Sequence, residues 1–482
     1  MTAYGEFRRS YDKDAVDSRF VYYGHRHIME NYIAVPWTED DVEKADLFYK
    51  THNAGFTEFP FPKDLFMKFV KENNGYFPVK IESLREGTVA NVRVPCFQIT
   101  AEGEYARLVT FLETLLTQIW YPSTVATLSR RSYEIIQKAF EKSVDEENMF
   151  LLDSRLHDFG FRGCTSIEQS VIGGCAHLLN FTGSDTMSAC FHAQFYLNNG
   201  KPVGNSIPAT EHSVMTSWPT EEDAIRNMIR HFGGDGAVFA CVMDSYDYVR
   251  ALYEVVPRVK EEHEKKGGLM VLRPDSGDPV ECVLQGLDAG EKTFGAVVNK
   301  KGYKVVNRVS VIQGDGISIT TIEKILTAVL NKGYSAQCVA FGMGGGLLQK
   351  VNRDTMSFAT KLAHIVDKDG RHRDIMKRPK TDGGKISFPG ILKVIKVKGQ
   401  PTVFPKDADV EGENMLEVIY DKRPLLSGTN AEDGTKPGVW DNFDTIKARV
   451  KREWSTVKKD HNPISAELRE KIELWVAEHM HL

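Results

Sequence analysis

The chain has 482 residues, with 61 Lys and Arg against 66 Asp and Glu, a formal net charge of −5. That balance excludes a nucleic-acid binder held by bulk positive charge, so any anionic ligand must be met by a few placed cations. An apolar fraction of 41% over this length allows a large core without covalent staples. No window reaches the roughly 18 uninterrupted apolar residues of a membrane span. The opening Met1-Thr-Ala-Tyr-Gly-Glu-Phe-Arg lacks the apolar centre of a secretory signal. Seven cysteines, an odd number without a Cys-x-x-Cys, argue against a disulfide framework or a zinc site. The expectation is a soluble cytoplasmic protein without nucleic-acid or membrane partners.

Residues 1–150 mix aromatic-rich segments with amphipathic helices such as Tyr105–Trp120. From 151 to 360 short apolar runs end in Asp or Gly, and helix-like stretches follow several of them. The clearest runs are Val238–Met243 before Asp244, Leu269–Leu272 before Asp275, Val309–Ile312 before Asp315, and Val339–Phe341 before a glycine run. Continuous apolarity marks strands buried on both faces, hence parallel ones. Residues 361–482 hold a Gly/Lys-rich loop (Asp367–Pro389), an alternating segment (Ile391–Val397) and a final helix. In that helix Leu468, Ile472, Trp475 and Val476 mark one face.

The spacings point to an architecture. Asp244 to Asp275 is 31 residues, Asp275 to Asp315 is 40, and Asp315 to Gly346 is 31. Each interval accommodates one strand, one helix and two loops, the βα unit of a barrel or a doubly wound sheet. The helix-like Ile319–Leu330 falls where that reading requires. The expected fold is α/β: an irregular, TIM-like barrel over 151–360, with a second sheet-containing α+β domain. The flanks 1–150 and 361–482 pack together to form that second domain.

Polar residues then collect at the C-terminal ends of the strands, where α/β folds build their sites. Phe159 and Arg162, in a Gly-bounded loop, offer a flat apolar face and a fixed cation, suited to a planar ring near an anion. A packed loop with a surface Arg is the plainer reading. Asp185, acceptor-only when ionised, would select an N–H donor and repel a carboxylate; it could equally cap the next helix. His212, beside Glu211, can act as base, acid or phosphoryl acceptor, whereas His177 and His231 read as ordinary satisfied residues. Asp244, Asp275 and Asp315 could bind magnesium, hold ribose hydroxyls or stabilise a cation, although helix capping explains any one of them. The run Phe341-Gly-Met-Gly-Gly-Gly346 at a strand-to-helix junction offers backbone N–H groups to a phosphate, with Arg353 seven residues further on. It is not a GxGxxG, and no P-loop occurs anywhere.

Seven ordered motifs carry a resemblance: His157–Gly163, Asn180–Thr186, Pro208–Ser213, Asp244–Asp247, Leu272–Pro279, Ile312–Gly316 and the glycine run. In order and spacing the chain resembles the nicotinamide phosphoribosyltransferases, of the type II phosphoribosyltransferase family. The resemblance implies a homodimer with shared active sites and a reaction in NAD salvage. Nicotinamide and 5-phosphoribosyl 1-pyrophosphate would give nicotinamide mononucleotide and pyrophosphate, with magnesium required. It further implies that Phe159 stacks on the pyridine ring and Asp185 accepts from the carboxamide. Arg273 would meet the carboxamide oxygen or the pyrophosphate, and Arg162 the pyrophosphate. Asp275, Gly314 and Asp315 would hold the ribose, and Gly344, Gly345 and Arg353 the 5′-phosphate. His212 resembles the family's phosphorylated histidine, which couples ATP hydrolysis to synthesis, with Asp244 positioning it. The magnesium ligands stay unassigned.

Two departures carry expectations. Family members open earlier, on a strand bearing Asp-Ser-Tyr-Lys whose Tyr crosses the dimer to cover the ring's other face. Here the chain opens at Tyr4-Gly-Glu-Phe-Arg, so it is naturally short, trimmed or started at the wrong Met; if it is naturally short, the expectation is an open face and weaker nicotinamide binding. Where many members carry Ser on the strand before Asp244, this chain has Ala240 and Cys241, which implies one hydrogen bond fewer to the carboxamide. The alternatives are a nicotinate phosphoribosyltransferase, disfavoured by Asp185, and a non-catalytic binding or signalling protein on the same fold.

Overall fold

The computed structural model describes residues 1–11, 16–379, 385–425 and 440–479. Its contacts divide the chain into two units, Leu128–Val351 and a second made of Met1–Thr127 with Asn352–Leu482. The fold is mixed α/β, with one parallel sheet and several antiparallel ones. Among the described residues no helix is long and apolar enough to cross a membrane.

The first unit is built on a five-stranded parallel sheet. Its order is Leu156–Asp158, Val339–Met343, Val309–Gln313, Leu269–Arg273 and Val238–Val242. Four of these strands are the continuous apolar runs of the sequence, each within two residues of its expected end. The middle strands read as fully buried, as Val309–Gln313 and Val339–Met343 are at every position, because neighbours cover both faces. Isolated parallel bridges continue from the sheet edges: Asp158 with Ser184, Gly183 with Asn205, and Ala209 with Ala240.

The connecting helices follow from the sequence as well. Ile319–Asn331 opens on a Ser318–Thr321 capping box and buries Ile322, Ile325, Leu326 and Val329 along one stripe. The longer interval between Asp275 and Asp315 holds the helix Pro279–Phe294 and also a hairpin, Ala296–Val298 with Lys304–Val306. That hairpin accounts for the extra nine residues (40 − 31). Between Asp244 and Asp275 the helix is broken into short pieces around Pro257, whose ring removes a donor and crowds the preceding turn.

In the other unit the two flanks interleave. A six-stranded sheet runs His372–Asp374, Ala359–Val366, Thr2–Glu6, Pro95–Thr100, Lys80–Ser83 and Glu417–Asp421. Thr2–Glu6 pairs antiparallel with a strand from each flank, and buried aromatics such as Tyr4, Phe7, Phe20 and Phe358 fill the core around it.

Two elements differ from expectation. The helix expected over Tyr105–Trp120 is a 3-10 turn, Gly103–Arg107, then Leu108–Thr117, and a new helix starts at Trp120. Pro122 is the cause, because it cannot donate to the carbonyl of Gln118 and its ring collides there. The loop expected over Asp367–Pro389 contains the strand His372–Asp374, folded back by a turn in which Gly370 N–H donates to Asp367 O. The final helix is Ala466–Glu478, with Leu468 buried and Ile472 packed against the core as the spacing predicted.

Candidate active site

Strand register places the candidate residues together. Parallel pairing matches Val242 with Arg273, Leu272 with Val311, Gln313 with Phe341, and Met343 with Asp158. The C-terminal strand ends therefore share one rim, the edge at which α/β sheets bind ligands. A cleft of ≈ 380 Å³ opens there. Six expected residues line it: Phe159, Arg162, Asp185, His212, Arg273 and Asp275.

Phe159 is set by backbone and by glycine. Its N–H donates to Met343 O at 3.0 Å, drawing the loop over the neighbouring strand. A β-carbon on Gly342 would stand 2.0 Å from the Phe159 ring, and one on Gly314 3.1 Å. The ring thus lies directly on the backbone of one strand and beside the end of the next. The Arg273 guanidinium carbon stands 5.3 Å from the ring centroid, within cation–π range.

A histidine and two carboxylates form the polar wall. The Asp244 side chain is 5% exposed; its Oδ2 accepts from the Asp275 N–H at 3.1 Å and from the Ser276 hydroxyl. Its Oδ1 is buried without a hydrogen-bond donor and lies 3.8 Å from His212 Nε2. His212 Nε2 is also 3.3 Å from Asp275 Oδ2, while His212 Nδ1 is 3.0 Å from the Ser245 hydroxyl. Arg273 Nη2 donates to Asp275 Oδ1 at 3.1 Å. None of the three strand-end acids caps a helix. The caps are Asp247, Asp278 and Ser318, which leaves Asp244, Asp275 and Asp315 free for other work. Nor does Asp185 cap the helix that follows it, where Thr186 holds the cap position.

Asp185 accepts from Ser206 and lies 3.8 Å from His157 Nδ1. Burial pushes its carboxyl up, but the hydrogen bonds from His157 and Ser206 and the nearby His157 and Arg273 charges outweigh it, holding it below the ordinary carboxylate value. Behind it stands Asp158, fully buried, with the Gly160 N–H donating to its Oδ1 at 2.7 Å. Burial, aided by the Asp185 charge and opposed by that amide, raises Asp158 to about 7. Because its folded value lies above the ordinary one, the folded state holds the proton more tightly. The stability it contributes is full below pH ~4 and is lost as pH rises through about 7. Asp158→Asn should remove that loss: its melting temperature should gain on the native chain between those limits and keep a constant difference above them. Parallel melting-temperature profiles against pH would contradict it.

Other expected residues are placed differently. Gly344 holds the cap position of the short helix Gly345–Leu348, and a β-carbon there would meet Phe159 O at 3.3 Å. Asp315 is exposed and, like Gly345, does not line the cleft. Arg353 lies past Val351, in the other unit, where its Nη1 donates to Phe358 O at 2.9 Å and its Nη2 pairs with Asp354. Sequence reasoning missed Phe161, Thr186, Ser213 and Val242 among the lining residues. Val242 carried a signal: period-two alternation puts it on the same face as Ala240, one step nearer the rim. His177 is fully buried; its Nδ1 meets Ser129, and its Nε2 is 3.0 Å from both Leu156 O and Gly183 O. It is a satisfied residue, as expected, and it ties the Leu156 strand to the Asp185 segment.

A cleft at parallel strand ends, with an aromatic shelf, placed arginines and paired carboxylates, defines a class of enzyme acting on an anionic, ring-bearing substrate. Comparison with known proteins gives its family. The profile of the nicotinate phosphoribosyltransferase (NAPRTase) family matches residues 154–412. A nicotinamide phosphoribosyltransferase of Xanthomonas campestris pv. campestris is 41% identical over 389 residues, 80% of this chain and 81% of the relative. One of Acinetobacter baylyi is 32% identical over 378 residues, 73% of this chain and 74% of the relative. The chain belongs to the nicotinate phosphoribosyltransferase family. Among solved structures, human nicotinic acid phosphoribosyltransferase shares the fold at a TM-score of 0.58 and 15% identity, covering 98% of this chain and 95% of that one.

Proposed function

We propose that this enzyme is a pentosyltransferase of NAD salvage, joining nicotinamide to 5-phosphoribosyl 1-pyrophosphate to give nicotinamide mononucleotide and pyrophosphate. The observation that carries the substrate is Asp185. Its carboxylate is held anionic at the cleft wall beside the Phe159 ring and accepts only. It suits the amide N–H of nicotinamide and repels the carboxylate of nicotinate. The names of the relatives at 41% and 32% identity support the same choice.

The residues divide the work as follows. Phe159 stacks on the pyridine ring, leaving its nitrogen to attack the ribose C1 as the bond to pyrophosphate breaks. Positive charge grows on the ribose ring, and the carboxylate of Asp275, supported from Asp244, stabilises it. Gly314 and Asp315, on the loop past the Val309–Gln313 strand and outside the cleft lining, would reach the ribose hydroxyls from its rim. Arg162 and Arg273 receive the departing pyrophosphate through charge-assisted bonds, while Gly344 and Gly345 take the 5′-phosphate. Among the described residues no three-ligand metal cluster exists, yet the donorless Asp244 Oδ1 suits a cation held by one or two carboxylates and substrate phosphates. Asp244 and Asp275 would hold magnesium there, and magnesium supplies charge neutralisation of the pyrophosphate.

His212 is the phosphoryl acceptor that couples ATP hydrolysis to synthesis. The isolated bridges at the sheet edges favour an irregular barrel. A homodimer in the cytoplasm completes the reading. The exposed apolar residues Met187, Phe191 and Phe195, which begin one residue past Thr186 at the cleft, supply a face for a second copy.

The test is mononucleotide formation from nicotinamide and from nicotinate, with and without ATP, in the native chain and in Asp185→Asn. Nicotinamide should be strongly preferred, and the substitution, which adds a donor, should shrink that preference by roughly tenfold or more. Preference for nicotinate, or an unchanged ratio in the variant, would overturn the assignment.

A further inference from the structure

The antiparallel sheet carries a second constellation. Its edge hairpin pairs His364 with Asp374 and Val366 with His372. His364 and His372 are therefore diagonal neighbours on one face. Their facing nitrogens, His364 Nε2 and His372 Nδ1, are 3.1 Å apart. His364 Nδ1 is 2.7 Å from Asp374 Oδ1.

We propose that His364 and His372 bind one divalent transition metal of the zinc or nickel type, with Asp374 orienting the first imidazole. A carboxylate accepts only, so Asp374 fixes the proton on His364 Nδ1 and leaves the Nε2 lone pair facing His372. A carboxylate behind a ligating imidazole is the usual outer shell of such sites. The separation also fits: two nitrogens bound at about 2.0–2.1 Å to one tetrahedral ion stand about 3.3 Å apart.

The support for Asp374 is built rather than incidental. Lys471 Nζ meets its other oxygen at 2.8 Å, and the Trp475 indole N–H donates to its backbone carbonyl at 2.9 Å. Burial pushes the Asp374 carboxyl up, but Lys471 and His364 outweigh it and keep the group below its ordinary value. Gly390, at φ +88°, leaves room for the pair, because a β-carbon there would stand 2.5 Å from Lys471 Nζ. The chain supplies two ligands, since no three-ligand group exists among the described residues. His372 is exposed on the edge strand, so water completes the coordination. Imidazole pairs select zinc, nickel or copper over magnesium or calcium.

The experiment is calorimetric titration of the chelator-treated full chain with zinc, with melting curves in parallel. One equivalent should bind and raise the melting temperature. His372→Ala and His364→Gln should each weaken that binding by about tenfold or more, and metal-free His372→Ala should melt as the native chain does. No uptake at millimolar zinc would mean that the imidazoles merely hydrogen-bond to each other. That result, or uptake that survives both substitutions, overturns the proposal.

Discussion

Gly342→Ala should raise the nicotinamide KM by roughly tenfold to a hundredfold, the range expected for forcing one methyl into a filled site. The new β-carbon would stand 2.0 Å from a Phe159 ring carbon and 2.2 Å from the next. No rotation of a methyl relieves such a clash, and the strand is paired on both sides. The ring must move, and with it the stacking shelf and the cation–π contact to Arg273. The KM for 5-phosphoribosyl 1-pyrophosphate should change far less, because that substrate meets other groups. A double-substitution cycle checks the route. In a Phe159→Ala background the Gly342→Ala effect should largely vanish, since side chains in contact are not additive. Additive effects on the nicotinamide KM would contradict it.

His212→Ala should reduce ATP hydrolysis to background and abolish any acceleration of synthesis by ATP, leaving slower, uncoupled mononucleotide formation. For the proposed coupling, geometry points to the atom that would react. Nε2 faces the acceptor carboxylates of Asp275 and Asp244 and so carries the proton. The lone pair then sits on Nδ1, which accepts from the Ser245 hydroxyl. Attack by Nδ1 on the γ-phosphorus of ATP would break the bond to ADP, displace that hydroxyl and leave a positive ring beside two carboxylates, which stabilise it. The side chain is 46% exposed, so a nucleotide can reach it. Label from γ-labelled ATP should enter the native chain and not the variant; label in both would rule out His212 as acceptor.

Much of the first unit was legible because its chemistry is local. Val238, Leu269, Val309 and Val339 each open an apolar run that only a doubly covered strand accommodates, and candidate site residues stand at the ends of those runs. The strand Leu156–Asp158 was not legible, since His157 and Asp158 look like loop residues. They are buried because the Val339–Met343 strand pairs with them on one side and the Ser184 segment on the other. Thr2–Glu6 was missed for a similar reason: Gly5 and Glu6 mask a strand that neighbours from both flanks define. In the cleft, Ser206 and His157 could not be foreseen beside Asp185, because what matters is their distance in space. Asp158 showed no sign in sequence of its raised proton affinity, which burial chiefly confers with help from the Asp185 charge.

The placement of the caps has an evolutionary consequence. Asp244 precedes the cap Asp247, Asp275 precedes Asp278, and Asp315 precedes Ser318, each by three residues. These three strand-to-helix turns are therefore metered: one residue starts the helix, and an acid a fixed step upstream stays clear of capping. An insertion between the two would tear the pair apart, whereas additions on the far side of the helix, such as the hairpin Ala296–Val306, leave it untouched. Relatives should accordingly differ in length at the opposite ends of these helices and agree at the rim. A designer grafting new specificity would exchange whole turns, acid and cap together.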